Sequence, residues 1–327
     1  MNKKTHKSIE QLFDLLNDLK FHDGNSIGEI LHITRSAVWK HIHKLIELGV
    51  PIESDKLLGY RLARPVYLLN EEKLTNAFPA LKDSICVYSE LTSTNDYLAR
   101  HAINTPALCL AERQTAGRGR LARSWFSPYA ENIYCSYAFP FKKDVSQLAG
   151  LSLSVSLALV NALKKIHITD GIKIKWPNDI VYVHPITQQL AKLAGVLIDI
   201  KAESHGVSKV IIGLGLNVNM QKASKTLPAW TSLSLITQQI YDRNTIVIHL
   251  IKALQATIKQ FEKNGFEALV NEWNKYDCLQ NQKITVQNFD QEISGLAKGV
   301  NSQGNLLLQV NKKILTISSG DASLKKK

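Results

Sequence analysis

The sequence predicts an α+β chain of three successive parts: a winged helix-turn-helix, a mixed α/β domain and a small SH3-like β-barrel. Helical periodicity fills the first part, strand-like and helix-like segments alternate through the second, and short alternating strands fill the third. We expect these parts to span residues 1–64, 65–272 and 273–327. The 327 residues are enough for roughly two domains of about 150 residues, with a sizeable core.

The composition is that of an ordinary globular protein, since 45% of residues are apolar and 21% are charged. This excludes wholesale disorder and collagen-like repetition. The formal net charge of +12 is diffuse, with +2 in residues 1–64 and +10 in the remainder. Diffuse positive charge favours acidic partners in general but specifies none.

We expect a cytoplasmic protein with no membrane span. The longest mostly apolar stretch, Leu151 to Leu163, is too short to cross a bilayer, and acidic residues interrupt the N-terminal region where a signal peptide would be apolar. The four cysteines stand far apart without companion histidines, which indicates reduced thiols and no metal site.

The first 64 residues are expected to hold three helices and a hairpin. Apolar residues from Ile9 to Leu19 recur at helical spacing, and Asp23-Gly24 is expected to end that helix. A capping box, Ser26-Ile-Gly-Glu29, predicts the start of a second helix through Leu31. A third helix, capped by Thr34, should run to Leu48 and close at Gly49, and residues 52–62 should form the wing.

One face of the third helix is available for DNA. Val38, Ile42 and Leu45 share the inward side, and the segment from 31 to 46 contains three basic residues and no acidic one. A helix of this kind is suited to the major groove. The alternative is a solvated helix of a protein-interaction module. We assign the DNA contacts to Ser36, Trp39, Lys40, His43 and Lys56, the last near the tip of the wing.

The middle of the chain is expected to form a mixed domain around one main sheet. Its predicted strands are 85–88, 107–111, 133–139, 172–176, 195–200 and 210–218, and its predicted helices are 95–101, 147–165 and 245–264. The strands of the terminal barrel are expected at 284–287, 292–300, 306–310 and 314–318.

An arginine-rich segment carries the most specific chemical signal. Gly117-Arg-Gly-Arg-Leu-Ala122 formally fits a dinucleotide-binding pattern, but the residues from Arg123 to Pro128 are poor helix formers, so we reject a Rossmann site. Arginines alternating with glycines instead favour a flexible loop that folds around phosphate or carboxylate. The alternative is a merely solvated basic loop.

Three further segments carry candidate site residues. Pro177 should stop a strand and leave Asn178 and Asp179 on a loop. Lys192 directly precedes an apolar strand, where a lysine more commonly only extends its charge to solvent. Gly213-Leu-Gly-Leu-Asn217 ends another strand, and its glycines would permit close approach of a ligand. The chain has no Gly-Lys-Ser/Thr P-loop.

Together these segments resemble the bifunctional biotin–protein ligases of bacteria, which also repress the biotin biosynthetic operon. The resemblance covers essentially the whole chain. The motifs that carry it occur in family order: Ser93-Thr-Asn95, Gln114-Thr-Ala-Gly-Arg-Gly-Arg120, Trp125-Phe-Ser-Pro128, Lys175-Trp-Pro-Asn-Asp179, Lys192-Leu-Ala-Gly195 and Gly213-Leu-Gly-Leu-Asn217.

The resemblance implies a two-step reaction with ATP and biotin as substrates and Mg²⁺ as helper. The biotin carboxylate would attack the α-phosphate of ATP, and a lysine of biotin carboxyl carrier protein would then attack biotinyl-5′-AMP. The implied biotin-binding residues are Ser93, Thr94, Asn95, Gln114, Arg118, Gly119, Arg120 and Lys192. The implied nucleotide-binding residues are Trp125, Asn217, Trp230 and Lys325. The implied catalytic residues are Lys192, Arg118, Arg120 and Asp179.

The resemblance also implies operator DNA as a partner and a homodimer when the adenylate is bound. Two departures from the family pattern stand out, since Ala122 replaces a usual glycine and Lys325 replaces an arginine expected near ATP phosphate. Three alternatives remain: a lipoate or octanoate ligase on the same fold, a transcription factor that only senses biotin, and a ligase whose winged helix no longer binds DNA.

Overall fold

The N-terminal part is a three-helix unit followed by a two-stranded hairpin. The computed structural model describes residues 3–101, 105–202, 207–223, 227–288 and 291–324. Its first elements are α1 (Lys3–Leu16), α2 (Gly24–Leu31), α3 (Arg35–Glu47), β1 (Ile52–Asp55) and β2 (Gly59–Leu62). The winged helix-turn-helix is therefore confirmed.

The start of α2 differs from the sequence-based expectation. Asp23-Gly24 does not end the first helix, which stops at Leu16, and Ser26 does not cap the second. Asp23 is the N-cap, because its carboxylate accepts the amides of Asn25 at 2.8 Å and Ser26 at 3.2 Å. The Ser26 hydroxyl donates to the same carboxylate. Asp and Ser are comparable caps, so the sequence alone does not decide which of the two begins the helix.

The third helix and its turn follow the expectation. The side chain of Thr34 accepts the amide of Ala37 at 3.3 Å, and α3 ends one residue before Leu48. Val38, Ile42 and Leu45 are buried, which confirms the inward face.

The winged helix is packed against the next domain. Tyr129 and Ala130, from the central part of the chain, belong to its apolar core. The side-chain amide of Asn17 donates to the carbonyl of Val66 and accepts its N–H, both at 2.9 Å. Arg64 forms an ion pair with Glu131. Burial raises the pKa of Glu131, which Arg64 opposes by favouring the charged carboxylate.

The central part is built on one seven-stranded sheet of order β3-β4-β5-β9-β8-β7-β6. Among the strand pairs of this sheet in the described ranges, β3–β4 alone is parallel, which makes the sheet mixed, as predicted. The elements are α4 (Glu71–Ala77), β3 (Ile85–Tyr88), α5 (Thr94–Arg100), β4 (Ala107–Ala111), β5 (Ile133–Phe141), α6 (Leu151–Lys165), β6 (Ile172–Lys175), β7 (Asp179–Val183), β8 (Leu190–Ala202), β9 (Ser208–Leu216), α7 (Leu233–Thr237), α8 (Arg243–Asn264) and α9 (Val270–Asn274).

Helices cover the sheet unequally. α6 and α8 pack together over one face and fill the main apolar core, whereas α5 packs on strands β4, β5 and β9. Neighbouring residues of β4 show that these are opposite faces, since Leu108 and Leu110 join the main core while Cys109 packs beside Leu98 of α5. The stretch Val145–Lys165 is long and apolar enough to cross a membrane, but its helix α6 is a mostly buried core helix here.

Two residues that were predicted to lie outside the strands, Asp179 and Lys192, are parts of the sheet. Asn178 lies in a tight turn that follows the cis Trp176–Pro177 bond, and Asp179 is the first residue of β7 rather than a loop residue. Lys192 lies inside β8, not before it, because the strand already begins at Leu190.

The C-terminal part is a five-stranded antiparallel sheet of order β13-β12-β11-β10-β14, which confirms a small β-domain. Its strands are β10 (Lys283–Asn288), β11 (Gln291–Val300), β12 (Leu306–Val310), β13 (Lys313–Ile317) and β14 (Asp321–Leu324). Its apolar side chains, such as Ile284 and Leu308, join the same core as the central helices.

A buried ion pair fixes the segment between the winged helix and the sheet. Arg243, with no exposed side-chain surface, donates to Glu112 at 2.6 Å and to the carbonyl of Tyr67 at 2.7 Å. The other carboxylate oxygen of Glu112 accepts the amide of Leu69 at 2.6 Å. Removing either partner would leave an uncompensated buried charge, so the segment is firmly held.

Candidate active site

One cavity of about 730 Å³ opens beside α5, between strands β8 and β9, the β6–β7 turn and residues 118–126, named here the arginine loop. Twelve of the predicted site residues line it: Ser93, Thr94, Asn95, Gln114, Arg118, Gly119, Arg120, Trp125, Asp179, Lys192, Asn217 and Trp230. Lys325 lies outside the described residues. Burial raises the pKa of the Cys135 thiol in the cavity wall, which keeps it protonated.

The N-terminus of α5 forms a polar wall of the cavity. Ser93 caps the helix, and the amide of Thr94 donates to the side chain of Gln114 at 2.9 Å. The Ser136 hydroxyl lies 2.7 Å from Thr94 Oγ1 and 2.5 Å from Asn95 Oδ1. These side chains are held by each other, which leaves a preorganised polar surface for a ligand.

The glycines of β9 make room for protein side chains as well as for a ligand. A Cβ on Gly213 would lie 2.3 Å from Asn95 Oδ1, and one on Gly215 would lie 2.4 Å from Trp125 Cε2. The close approach expected of a ligand is therefore already made by the side chains of Asn95, from α5, and Trp125, from the arginine loop.

Each arginine of the arginine loop has a carboxylate partner. Arg118 pairs with Asp96 and lies 3.7 Å from Asp199. Arg120 Nη1 lies 3.5 Å from Asp321 Oδ1, and Arg123 Nη2 lies 2.5 Å from Asp321 Oδ2. An anionic ligand must therefore exchange with these carboxylates rather than meet bare positive charge.

Lys192 has a partner too, whereas Lys175 has none among the residues that the structure describes. The Lys192 ammonium lies 2.7 Å from Asp179 Oδ1 and 5.2 Å from the centre of the Trp125 ring. Lys175 lines the cavity without an ion pair and was not among the predicted site residues. Lys175 could have been predicted as a site residue, because it begins the Lys175–Asp179 motif at the end of a strand.

Three carboxylates that pair with these arginines were not predicted from the sequence: Asp96, Asp199 and Asp321. They come from α5, β8 and β14, and no sequence spacing connects them with the arginines. Asp96 alone had a usable signal, since it directly follows the Ser93–Asn95 motif.

Backbone strain in the arginine loop lies away from its glycines. Leu121 and Ala122 adopt left-handed conformations with φ of 53° and 55°, whereas Gly119 has a φ of −108°. The structure therefore places a residue with a Cβ at the position where the left-handed conformation favours glycine.

Hydrogen bonds to β8 and to Asn217 hold the segment that contains Trp230. Residues 229–231 run along that strand, with Lys192 N donating to Ala229 O and Thr231 N donating to Lys192 O, both at 2.9 Å. Asn217 donates its side-chain amide to Thr231 O at 2.9 Å. Asn217 thus fixes the segment that presents Trp230 to the cavity.

The predicted DNA-binding residues lie on the surface of the winged helix. Ser36, Lys40, His43 and Lys56 are exposed, and Trp39 is 51% exposed with its ring centre 4.1 Å from that of His43. In the described ranges, no group of three His, Cys, Asp or Glu side chains is placed to hold a metal ion.

Comparison with known proteins assigns the three parts to three families. Residues 86–217 match the biotin/lipoate A/B protein ligase family, residues 9–61 match an HTH domain, and residues 281–325 match the biotin protein ligase C-terminal domain. The fold and the cavity thus define a protein ligase of the biotin/lipoate type that carries a helix-turn-helix.

Full-length relatives narrow this class. The bifunctional ligase/repressor BirA of Escherichia coli is 32% identical over 319 residues, covering 96% of each chain. A biotin–[acetyl-CoA-carboxylase] ligase of Mycobacterium tuberculosis is 30% identical over 72% of this chain and 86% of its own. The structure of biotin protein ligase from Aquifex aeolicus with biotin and ATP matches with a TM-score of 0.62 and 26% identity, over 75% of this chain and 99% of that one. The chain belongs to the family of bifunctional biotin ligase/repressors.

Proposed function

We propose that this protein joins biotin to a lysine of biotin carboxyl carrier protein in two ATP-dependent steps, and that it represses biotin synthesis genes in the cytoplasm. The observation that carries the ligase proposal is the cavity of about 730 Å³, in which Lys192 and the arginine loop lie beside the polar end of α5. The family membership and the biotin and ATP bound by the Aquifex relative support the same substrates.

In the first step, a carboxylate oxygen of biotin attacks the α-phosphorus of ATP and pyrophosphate leaves. Both reactants are anionic, so fixed cations are needed where charge accumulates. Lys192, Arg118 and Arg120 would supply them after leaving Asp179, Asp96 and Asp321. Mg²⁺ is proposed only as the counter-ion that ATP brings, and it is assigned no protein ligand.

In the second step, the ε-amine of the acceptor lysine attacks the acyl carbon of biotinyl-5′-AMP, forms the amide bond and releases AMP. The amine must lose a proton on the way. We assign its acceptance to Asp179, whose carboxylate stands in the cavity wall beside Lys192. Trp125, Asn217 and Trp230 would form the nucleotide side of the cavity, and Ser93, Thr94, Asn95, Gln114 and Gly119 the biotin side.

The ligase proposal is tested by biotin-dependent exchange of labelled pyrophosphate into ATP, followed by biotin transfer to an acceptor domain. Lipoate and octanoate serve as competing substrates, and either outpacing biotin would favour the lipoate-type alternative. Absence of exchange with retained biotin binding would indicate a biotin sensor.

The repressor proposal predicts a dimer on operator DNA when the adenylate is bound. Its support is the exposed outer face of α3, where Lys40 and His43 meet solvent. Lys40→Ala with His43→Ala should weaken DNA binding and lower its salt dependence by roughly one counterion, while ligation is unchanged. Lys82→Ala, an exposed lysine in the central domain, is the control. Loss of ligation in the double variant would contradict this separation of roles.

A further inference from the structure

The tip of the wing exposes two adjacent leucines. Leu57 is 91% exposed and Leu58 is 56% exposed, although burying a leucine side chain away from water is favourable. A single exposed leucine needs no explanation. Two at the tip of one projecting hairpin form an apolar point, which is named here the wing tip.

The hairpin holds this wing tip out rigidly. The Asp55 carboxylate accepts the amides of Leu57 at 2.7 Å and of Leu58 at 2.9 Å, which fixes the turn. At the base, His22 and Tyr60 exchange two backbone hydrogen bonds of 2.9 Å. Gly59 fits against this added strand only because it lacks a Cβ, which would lie 2.1 Å from the carbonyl oxygen of His22. The leucines are therefore not free to fold back onto the core.

The charges of the wing together with those of helix α3 favour a polyanion as the partner. Glu53 pairs with Arg61 at 2.7 Å, and Asp55 keeps its negative charge while it accepts the turn amides, so the wing alone is electrically balanced. Lys56, beside the leucines, is exposed and has no ion-pair partner among the described residues. The adjoining helix α3, on which β1 packs, adds Arg35, Lys40 and Lys44.

We propose that the wing tip enters the minor groove of bound DNA and that Leu57 wedges between two base pairs, bending the duplex. This rests on the proposed repressor function. Apolar side chains of this kind unstack base steps when a cationic neighbour holds the phosphates, and the resulting bend lets more protein surface reach the DNA. Lys56 is the neighbour that would hold a phosphate beside Leu57.

The experiment uses the full chain with biotinyl-5′-AMP and a duplex that the wild-type protein selects from a random pool. Fluorescence anisotropy measures affinity, and energy transfer between dyes at the duplex ends measures bending. Leu57→Ser should weaken binding about tenfold and straighten the duplex, because an apolar contact of leucine size is lost. Leu57→Met, which keeps an apolar side chain, should restore most of both.

Ile186→Ser is the matched control, because Ile186 is 86% exposed and lies outside the cavity and the wing. It should leave both readouts unchanged. If Leu57→Ser binds and bends DNA as wild type does, the proposal is wrong. It is also wrong if that variant retains DNA bending but loses dimerisation or ligation, which would make the wing tip a protein contact. If the wild-type protein selects no duplex, the repressor function itself fails, and the wedge with it.

Discussion

Arg123 and Asp321 form an ion pair of 2.5 Å, from Nη2 to Oδ2, that joins the arginine loop to the last described strand of the C-terminal domain. Arg120 reaches the same carboxylate and also donates to the carbonyl of Gly320 at 3.3 Å. The C-terminal domain thus restrains the arginine loop directly, at the wall of the cavity.

Asp321→Asn should loosen this restraint in the ligand-free protein. Arg123 is largely exposed, and exposed ion pairs are worth about 0.2–1 kcal/mol, so tryptic cleavage after Arg123 should rise by up to about fivefold. Biotin with ATP should restore protection. Glu53→Gln, which breaks the Arg61 pair on the wing, is the control and should not change this cleavage. Unchanged cleavage in Asp321→Asn would show that the pair does not hold the loop.

Arg118→Gly should yield an enzyme that makes the adenylate but holds it poorly. Arg118 lines the cavity that the adenylate would occupy, and glycine removes the cation that would retain an anion there. Biotin should then appear on lysines of a bystander protein incubated with the variant, biotin and ATP, and repression should weaken. Arg113→Gly is matched, since Arg113 pairs with Glu90 outside the cavity. A variant that is inactive, or that labels only its acceptor, contradicts this role.

Ala122→Gly should slow the loss of the adenylate. Ala122 has a φ of 55°, and relieving a left-handed alanine is worth about 1 kcal/mol, equivalent to roughly fivefold in the release rate. Release of radiolabelled biotinyl-5′-AMP measures it. Ala116→Gly, in the same segment without a positive φ, should bring no such gain. Faster release from Ala122→Gly would contradict this, because it would mean that the left-handed conformation at Ala122 belongs to the open form of the arginine loop and not to the closed form.

Lys192→Ala should raise the barrier to adenylation by about 2–4 kcal/mol, as removal of one fixed electrostatic stabiliser does. Folding should survive, because the side chain is 36% exposed. Pyrophosphate exchange measures the effect. Lys201→Ala, on an exposed position of the same strand, should leave exchange intact. Exchange within threefold of wild type in Lys192→Ala would remove Lys192 from the mechanism.

Asp277→Asn should stabilise the protein at neutral pH. Burial beside the edge of the sheet raises the pKa of Asp277 to about 6, so the folded state binds the extra proton more tightly than the unfolded state. Stability is therefore lost as pH rises from about 4 to above 6, and the asparagine should recover at most roughly 2–3 kcal/mol at pH 7.5. Urea unfolding at pH 5 and 7.5 should show the larger gain at 7.5. The exposed Asp170→Asn should show none.

Local patterns predicted the individual strands and helices well where side-chain periodicity was strong. β3, β4 and β12 have the predicted bounds, and every predicted cavity residue within the described ranges lines one cavity. β7 was missed because it follows β6 after only a tight turn, and β14 because four residues carry too little alternation. The domain boundaries and the roles of the site residues stay predictions.

What sequence could not supply was pairing at a distance. The carboxylate of Asp321 stands about two hundred positions from Arg120, and nothing local connects them. Likewise, the glycines of β9 suggested an approaching ligand, whereas the side chains of Asn95 and Trp125 occupy the space that they leave.

The buried contacts of Arg243 with Glu112 and Tyr67 affect the spacing between operator half-sites that the protein would accept. Because the segment that connects the winged helix to the sheet is fixed, helix α3 has little freedom to swing toward a displaced half-site. The separation between half-sites would then be set by how two catalytic domains meet. One added base pair turns a half-site by about 34–36° around the duplex axis, since a turn takes about 10–10.5 base pairs. A dimer with fixed winged helices would have to twist the DNA to bind the rotated half-site. The spacing between half-sites should therefore be strict, while the sequence between them varies freely.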